Sequence, residues 1–107
     1  RAAALDYHEF PVPGKVAIAA TTQIGDQGLT IGRSAAILAG LPKSVPGYAI
    51  DRMCAGALTA VTNLSSGIGV GAYDVVLAGG VEHMGRHPMG EGMEIGEHTS
   101  ELQSHLM

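Results

Sequence analysis

The chain is poor in the residue types that mark several classes of protein. Its 107 residues include no Trp, one Phe and one Cys, and charged residues make up 15% of the total, below the roughly 25% of an ordinary soluble domain. A single Cys excludes an internal disulfide. Six basic residues stand against ten acidic ones, for a net charge of −4, so binding to nucleic acid or to an anionic membrane surface has no electrostatic support.

Long apolar runs are also absent, although 46% of the residues are hydrophobic. No uninterrupted stretch reaches the roughly 18 residues of a membrane span, and we expect none. A chain this apolar and this weakly charged is not typical of disorder. No signal-peptide pattern follows Arg1, so we expect a cytoplasmic protein, or one of an organelle matrix in a eukaryote.

Apolar periodicity and turn residues divide the chain into alternating strands and helices. Five elements are predicted in the order strand, helix, strand, helix, strand, at 16–20, 29–41, 45–50, 54–68 and 74–78. The first strand is apolar throughout, which favours burial on both faces. The alternation predicts an α/β fold with a parallel sheet covered by helices. Because so small a sheet leaves its edges unpaired, we expect residues 1–107 to be only part of a functional unit.

Each helix is predicted from a stripe of side chains at helical spacing. The first stripe is Leu29, Arg33, Ile37 and Leu41, and the second is Leu58, Val61, Leu64 and Ile68. Gly40 and Pro42 give a stop signal for the first helix. The second helix carries small residues opposite its stripe, so we expect it to have close neighbours on more than one side.

The cysteine, Cys54, lies between the second predicted strand and the second predicted helix. A thiol at a helix N-terminus is close to unpaired backbone N–H groups and to the positive end of the helix dipole. Both favour the thiolate, which is the nucleophilic form, and the same N–H groups suit an oxyanion. The alternative is a small buried apolar residue. Spacing alone leaves both interpretations open.

Three blocks of sequence resemble the thiolase family. Residues 51–61, Asp-Arg-Met-Cys-Ala-Gly-Ala-Leu-Thr-Ala-Val, resemble the thiolase segment that holds the nucleophilic Cys. Residues 74–84 are similar to the family's strand ending in Ala-Gly-Gly-Met-Glu-Ser-Met, although His83 stands where Ser is usual. Residues 23–28, followed by 33–36, resemble its Gly- and Gln-containing turn and Arg-containing helix.

The blocks occur in the family's order over about 16–90, whereas residues 91–107 match no motif of the family. The resemblance therefore implies that 1–107 is an incomplete segment of the thiolase N-terminal domain, with part of the family's layered α/β fold. It also implies an acyltransferase of fatty-acid and lipid metabolism, of the acetyl-CoA acetyltransferase or 3-ketoacyl-CoA thiolase type.

In such an enzyme Cys54 would attack a 3-ketoacyl-CoA or acetyl-CoA and become acylated. The resemblance implies a coenzyme A thioester as substrate, no tightly bound cofactor, and a homodimer or homotetramer. It assigns the activating His and a second catalytic Cys to another half of the fold. Since Cys54 is the only Cys here, we expect the 107-residue chain by itself to be inactive. No CoA-binding residue is assigned.

Two other functions stay open: a decarboxylating condensing enzyme of fatty-acid synthesis, and a non-catalytic thiolase-like subunit or fragment. The block ending in Ala-Gly-Gly-Val-Glu-His-Met favours thiolase over the first. His83 and His87 have the spacing of metal ligands on a helix, but Gly85 and Pro88 disfavour a helix there, so we expect no metal site. His87 is interpreted as a loop residue, and the Gly-rich run 67–71 as a helix end rather than a nucleotide loop.

Overall fold

A computed structural model describes residues 11–89 of the chain. It contains three strands, two helices and one 3-10 turn. In chain order they are β1 (Val16–Ala19), the 3-10 turn (Gly25–Gln27), α1 (Ile31–Leu38), β2 (Gly47–Ile50), α2 (Gly56–Gly69) and β3 (Leu77–Gly80). The predicted order of strands and helices is confirmed. The unmatched segment 91–107 lies outside the described residues.

The three strands form one parallel sheet in the order β2-β1-β3. Val16 at the start of β1 pairs with Gly47 of β2 and with Leu77 of β3. The first strand of the sequence is therefore the central one, which explains its apolar composition. Val16 and Ala17 are at most 1% exposed, so the predicted burial of this strand on both faces is confirmed.

The helices cover opposite faces of the sheet. On one face Val16 packs with Ala36 of α1 and with Val45. On the other face Ala17 packs with Ala60 and Leu64 of α2. Because successive side chains of a strand point to opposite faces, β1 contributes to both clusters, and the result is a three-layered arrangement of helix, sheet and helix.

Small residues, together with Leu64, face the sheet, and most of the large apolar side chains of the predicted stripes do not. A Cβ built on Gly32 of α1 would lie 2.2 Å from the carbonyl oxygen of Tyr48, and one built on Gly56 of α2 would lie 2.8 Å from Cβ of Ala19. Only residues without bulk permit this approach. Within residues 11–89 most members of the predicted stripes are consequently exposed: Leu29, Ile37, Leu58, Val61 and Ile68. Leu64 is the member of the second stripe that is buried.

Several predicted boundaries are wrong by a few residues, among them the end of α1, at Leu38 rather than 41, and the start of β2, at Gly47 rather than 45. α1 begins at Ile31 because Leu29 and Thr30 both have a φ of 52°, outside the helical region. α2 begins at Gly56 rather than at 54. β3 begins at Leu77 rather than at 74 and includes Gly79 and Gly80. Its extent follows its pairing with the short β1 and not its own β-branched residues.

Both helices end at a glycine in the left-handed region. Gly71 has a φ of 83° and donates its N–H to Ile68, while Ala72 donates to Gly67 at 2.8 Å. This pair of bonds is the Schellman motif, and it confirms that 67–71 is a helix end. Gly40, with a φ of 88°, ends α1 in the same way. No helix within residues 11–89 is long and apolar enough to cross a membrane.

Candidate active site

The segments that follow the three strands meet at one edge of the sheet. They are residues 20–22 after β1, 51–55 after β2 and 81–83 after β3. Parallel strands bring their carboxyl ends to the same edge, where α/β proteins bind ligands. Hydrogen bonding continues past the strands, since the N–H of Ala20 donates to Ile50 at 3.1 Å. The edge is therefore an ordered platform.

Cys54 lies in the turn between β2 and α2, and its side chain is exposed in the described part of the chain. The alternative interpretation of Cys54, as a small buried apolar residue, is therefore wrong for the described part of the chain. Ala55 is the N-cap of α2, so Cys54 comes just before the helix instead of opening it. The N–H of Ala55 donates to Arg52 at 3.0 Å and that of Gly56 to Met53 at 3.2 Å. These two N–H groups are thus used by the turn.

The residue before the cysteine has an unusual backbone conformation. Met53 has a φ of 50°, in the left-handed region that non-glycine residues seldom occupy. Its N–H donates to Oδ1 of Asp51 at 3.1 Å, and its carbonyl accepts from the N–H of Gly56. Such a conformation persists only where neighbouring groups hold it, and here bonds on both sides of Met53 do so.

Close packing brings the first turn of α2 onto the carboxyl ends of β1 and β3. A Cβ on Gly80 would lie 3.1 Å from Cβ of Ala57 and 3.4 Å from the carbonyl oxygen of Ala19. The small residues after Cys54, expected to leave room for a substrate, therefore also serve to seat the helix against the sheet. Gly80, the second glycine of the Ala-Gly-Gly block, therefore has a structural reason in this close approach.

Glu82, directly after β3, binds the segment that follows β1. Its Oε1 accepts hydrogen bonds from the backbone N–H groups of Thr21 and of Thr22, the latter at 3.2 Å. Its Oε2 lies 3.4 Å from Nε2 of Gln27. The loss of some solvent around the carboxyl group by itself raises the pKa of Glu82, but these hydrogen bonds outweigh that effect and the net pKa lies below its ordinary value. The carboxylate is the form that the site holds.

Gln27 is only 3% exposed and joins the same two segments. Its Nε2 donates to the carbonyl of Thr22 at 2.7 Å, and its Oε1 accepts from the N–H of His83 at 2.8 Å. The hydroxyl of Thr21 in turn donates to the carbonyl of Met53 at 3.3 Å. Hydrogen bonds therefore connect all three segments of the edge, including the turn that carries Cys54.

Sequence reasoning did not identify these residues. Glu82 and Gln27 lie within the blocks that resemble thiolases, but neither has an assigned role there, and Thr21 belongs to no motif. A polar residue placed just after a buried strand is the signal that was available, because in a parallel sheet such residues converge at the carboxyl edge. The bonds of Glu82 to Thr21 and Thr22 span 61 and 60 positions of sequence, so spacing along the chain does not reveal them.

The two histidines that follow β3 have different surroundings. His87 lies in a loop, as predicted, but it is 9% exposed and its Nε2 lies 2.5 Å from Oδ1 of Asp26. Arg86 pairs with the other oxygen of Asp26 at 3.1 Å. The hydrogen bond from His87, with the charge of Arg86, holds the pKa of Asp26 below its ordinary value. Within residues 11–89 no group of three His, Cys, Asp or Glu could hold a metal ion.

Comparison with known proteins shows the family of the chain. A family model described as the N-terminal domain of thiolase matches residues 14–106. The chain belongs to the thiolase family. The match includes most of 91–107, a segment that carries none of the family's motifs.

Several bacterial thiolases are similar in sequence. A 3-ketoacyl-CoA thiolase of Aliivibrio salmonicida is 44% identical over 69 residues, which are 64% of this chain and 18% of that protein. One of Colwellia psychrerythraea is 48% identical over 67 residues, 63% of this chain and 17% of that protein. The chain thus corresponds to less than a fifth of these relatives.

A solved thiolase structure is similar in fold. The crystal structure of the Acat5 thiolase of Ascaris suum in complex with coenzyme A superposes with a TM-score of 0.64 and 26% sequence identity. The alignment covers 72% of this chain and 20% of that one. The predicted α/β class and the thiolase-like arrangement of strands and helices are confirmed.

Proposed function

We propose that the protein that carries this chain is a 3-ketoacyl-CoA thiolase-type acyltransferase and that Cys54 is its nucleophile. The supporting observation is an exposed thiol in the turn just before α2, at the carboxyl edge of the sheet, in a chain of the thiolase family. The substrate class follows from the relatives, which are named 3-ketoacyl-CoA thiolases. Coenzyme A enters as a substrate and not as a resident cofactor.

The chemistry suits a thiol because acyl transfer between thioesters is nearly balanced in energy. The Cys54 thiolate attacks the acyl carbonyl carbon of acetyl-CoA, a new sulfur–carbon bond forms, and coenzyme A leaves as a thiolate. With a 3-ketoacyl-CoA, attack at the keto carbon breaks the adjoining carbon–carbon bond. The electron pair departs on the acetyl-CoA fragment, which takes up a proton. A second coenzyme A thiolate then removes the acyl group and restores Cys54.

The start of α2 supplies donors for the oxyanion that forms in each attack. The N–H groups of Ala55 and Gly56 already donate to carbonyl groups of the turn. Not every N–H group at the start of the helix can therefore donate to an oxyanion. No side chain caps the first turn, so the N–H groups of Ala57 and Leu58 have no acceptor within the helix itself, whereas Thr59 already donates to Ala55. We assign the stabilisation of negative charge to these groups and to the dipole of α2.

The rest of the machinery belongs to protein outside the described residues. The resemblance assigns to a second half of the fold the His that activates Cys54 and the Cys that moves the proton. Large apolar side chains on the outer face of α2 support contact with further protein, since Leu58 is 69% and Val61 50% exposed. We accordingly expect the intact protein to be a homo-oligomer and the 107-residue chain to show no steady turnover by itself.

The test is acylation of Cys54 in the intact protein. The protein is incubated with acetyl-CoA and digested with trypsin, and the peptide 53–86, in which Cys54 is the only Cys, is analysed by mass spectrometry. We expect an acetyl adduct on this peptide that is absent from Cys54→Ser. Labelling by iodoacetamide shows in parallel that the thiol is accessible. A folded protein whose Cys54 takes the label but never the acetyl group would contradict the proposal.

One further measurement separates the two enzyme classes. A condensing enzyme of fatty-acid synthesis would release CO2 from a malonyl thioester. We expect thiolysis of a 3-ketoacyl-CoA in the presence of free coenzyme A and no such release. Release of CO2 without thiolysis would reverse this assignment while leaving Cys54 as the nucleophile.

A further inference from the structure

One chain of hydrogen bonds leads from Glu82 through Thr21 to the turn that holds Cys54. We propose that Glu82 and Thr21 are positioning residues for Cys54: the carboxylate fixes the backbone after β1, and the Thr21 hydroxyl fixes the carbonyl of Met53. The inference rests on the proposed function, in which Cys54 is the nucleophile. In this proposal Glu82 and Thr21 do not contact the substrate but determine the geometry of Cys54, which does.

The first step is the anchoring of Thr21 by Glu82. Two consecutive backbone N–H groups, those of Thr21 and Thr22, donate to the same carboxylate oxygen. Bonds to a charged acceptor are stronger than bonds between neutral groups. Gln27, which is almost fully buried, holds the carbonyl of Thr22 and the N–H of His83 on the same platform. Thr21 is therefore tied to the ends of both β1 and β3.

The second step is the bond from the Thr21 hydroxyl to the carbonyl of Met53, at 3.3 Å. This carbonyl belongs to the peptide unit that also contains the N–H of Cys54. It accepts a second bond from Gly56, the first residue of α2. Met53 has a φ of 50°, a conformation that persists only where neighbouring groups hold it. Thr21, in the segment after β1, adds a third bond to the two that the turn itself supplies.

The consequence concerns the direction of the thiol. The peptide unit between Met53 and Cys54 determines where the Cys54 side chain points relative to the N–H groups of α2. A turn released on one side samples other orientations, and small misplacements of a nucleophile are costly in rate. The bond ought therefore to affect the rate of acyl transfer more than the affinity for the thioester.

The test uses the intact protein and three substitutions at threonine. Thr21→Val removes the hydroxyl with little change in shape, and with it both the bond to Met53 and the side-chain interaction with the Glu82 carboxylate, but it keeps the N–H that binds Glu82. Thr21→Ser keeps the hydroxyl. Thr62→Val makes the same hydroxyl-to-methyl change on the exposed surface of α2 and serves as the control. Two quantities are measured: hydrogen exchange over residues 53–58, and the kcat and KM of acyl transfer through Cys54.

We expect Thr21→Val to accelerate exchange over 53–58 and to lower kcat, each by about fivefold, the worth of one ordinary hydrogen bond. KM should change little. Thr21→Ser should restore both quantities, and Thr62→Val should match the wild type. Unchanged exchange in Thr21→Val would overturn the inference, as would faster exchange without any loss of kcat. A purely structural role would lower stability without the selective fall in kcat.

The role of Glu82 is tested by a double-mutant cycle. Glu82→Gln retains the shape and an acceptor oxygen, so it should weaken the effect rather than abolish it, and it also serves if Thr21→Val does not fold. In the Glu82→Gln background Thr21→Val should cost less than it does alone, because the two residues act in series. Fully additive effects would contradict this coupling. If the wild type fails to acylate Cys54, the proposed function fails, and the exchange data still decide whether Thr21 holds the turn.

Discussion

Replacement of Gly32 by alanine tests how closely α1 approaches the sheet. The added Cβ would lie 2.2 Å from the carbonyl oxygen of Tyr48 and 3.0 Å from its carbonyl carbon. The obstacle is strand backbone, which has no rotamer to change, so helix and strand must separate. Overpacking of this kind costs up to about 3 kcal/mol, against a gain in helix propensity of at most about 1 kcal/mol. We expect a net loss of about 2 kcal/mol.

Gly69 provides the matched control. It is also a helical glycine, at the last position of α2, but a Cβ there meets nothing within 4 Å. Gly69→Ala should therefore leave the free energy of unfolding unchanged or raise it by up to about 1 kcal/mol. The assay is chemical denaturation of the intact protein, with both variants measured beside the wild type. Equal effects of the same sign, or a Gly32→Ala variant as stable as the wild type, would refute the close packing of α1.

Two further predictions concern charged and buried groups. The pKa of Glu82 is lowered in the folded state, so its contribution to stability is complete above its ordinary pKa of 4.5 and is lost as the pH falls through the lower folded value. In denaturation curves, the difference in free energy of unfolding between wild type and Glu82→Gln should therefore shrink between pH 6 and pH 3. A difference that grows on acidification would contradict this prediction. His87→Ala should lower the free energy of unfolding because it removes a buried side chain together with its hydrogen bond to Asp26. His83→Ala, at an exposed side chain, should cost less in the same assay, and the reverse order would be incompatible with the burial of His87.

Local pattern was sufficient for the general plan of the fold. Continuous apolar character marked the central strand, and alternation of strands with helices indicated a parallel sheet. The glycine–proline signal after α1 and the glycines after α2 marked both helix ends, because only a residue that tolerates positive φ can close them in this way. These features depend on near neighbours in the chain, which a sequence displays directly.

The packing face of each helix could not be inferred in this way. Large apolar stripes predicted one face, whereas the helix residues buried against the strands are small, namely Gly32, Ala36, Gly56 and Ala60, with Leu64 as the one member of a stripe among them. The choice depends on how closely the backbones approach, and that distance is a property of the assembled layers. In the described part of the chain, most of the large apolar side chains of the predicted stripes are exposed, although helical periodicity predicts that they are buried.

In the candidate site, too, some features follow from the sequence and others only from the tertiary structure. The sequence by itself determined that Cys54 lies between a strand and a helix among small residues, and its motifs determined the family. Only the tertiary structure decided that the helix begins after Cys54, that the thiol is exposed, and that Glu82 and Thr21 reach the turn beside it. The physical reason is that parallel strands bring their carboxyl ends to one edge, so residues some sixty positions apart become hydrogen-bond partners.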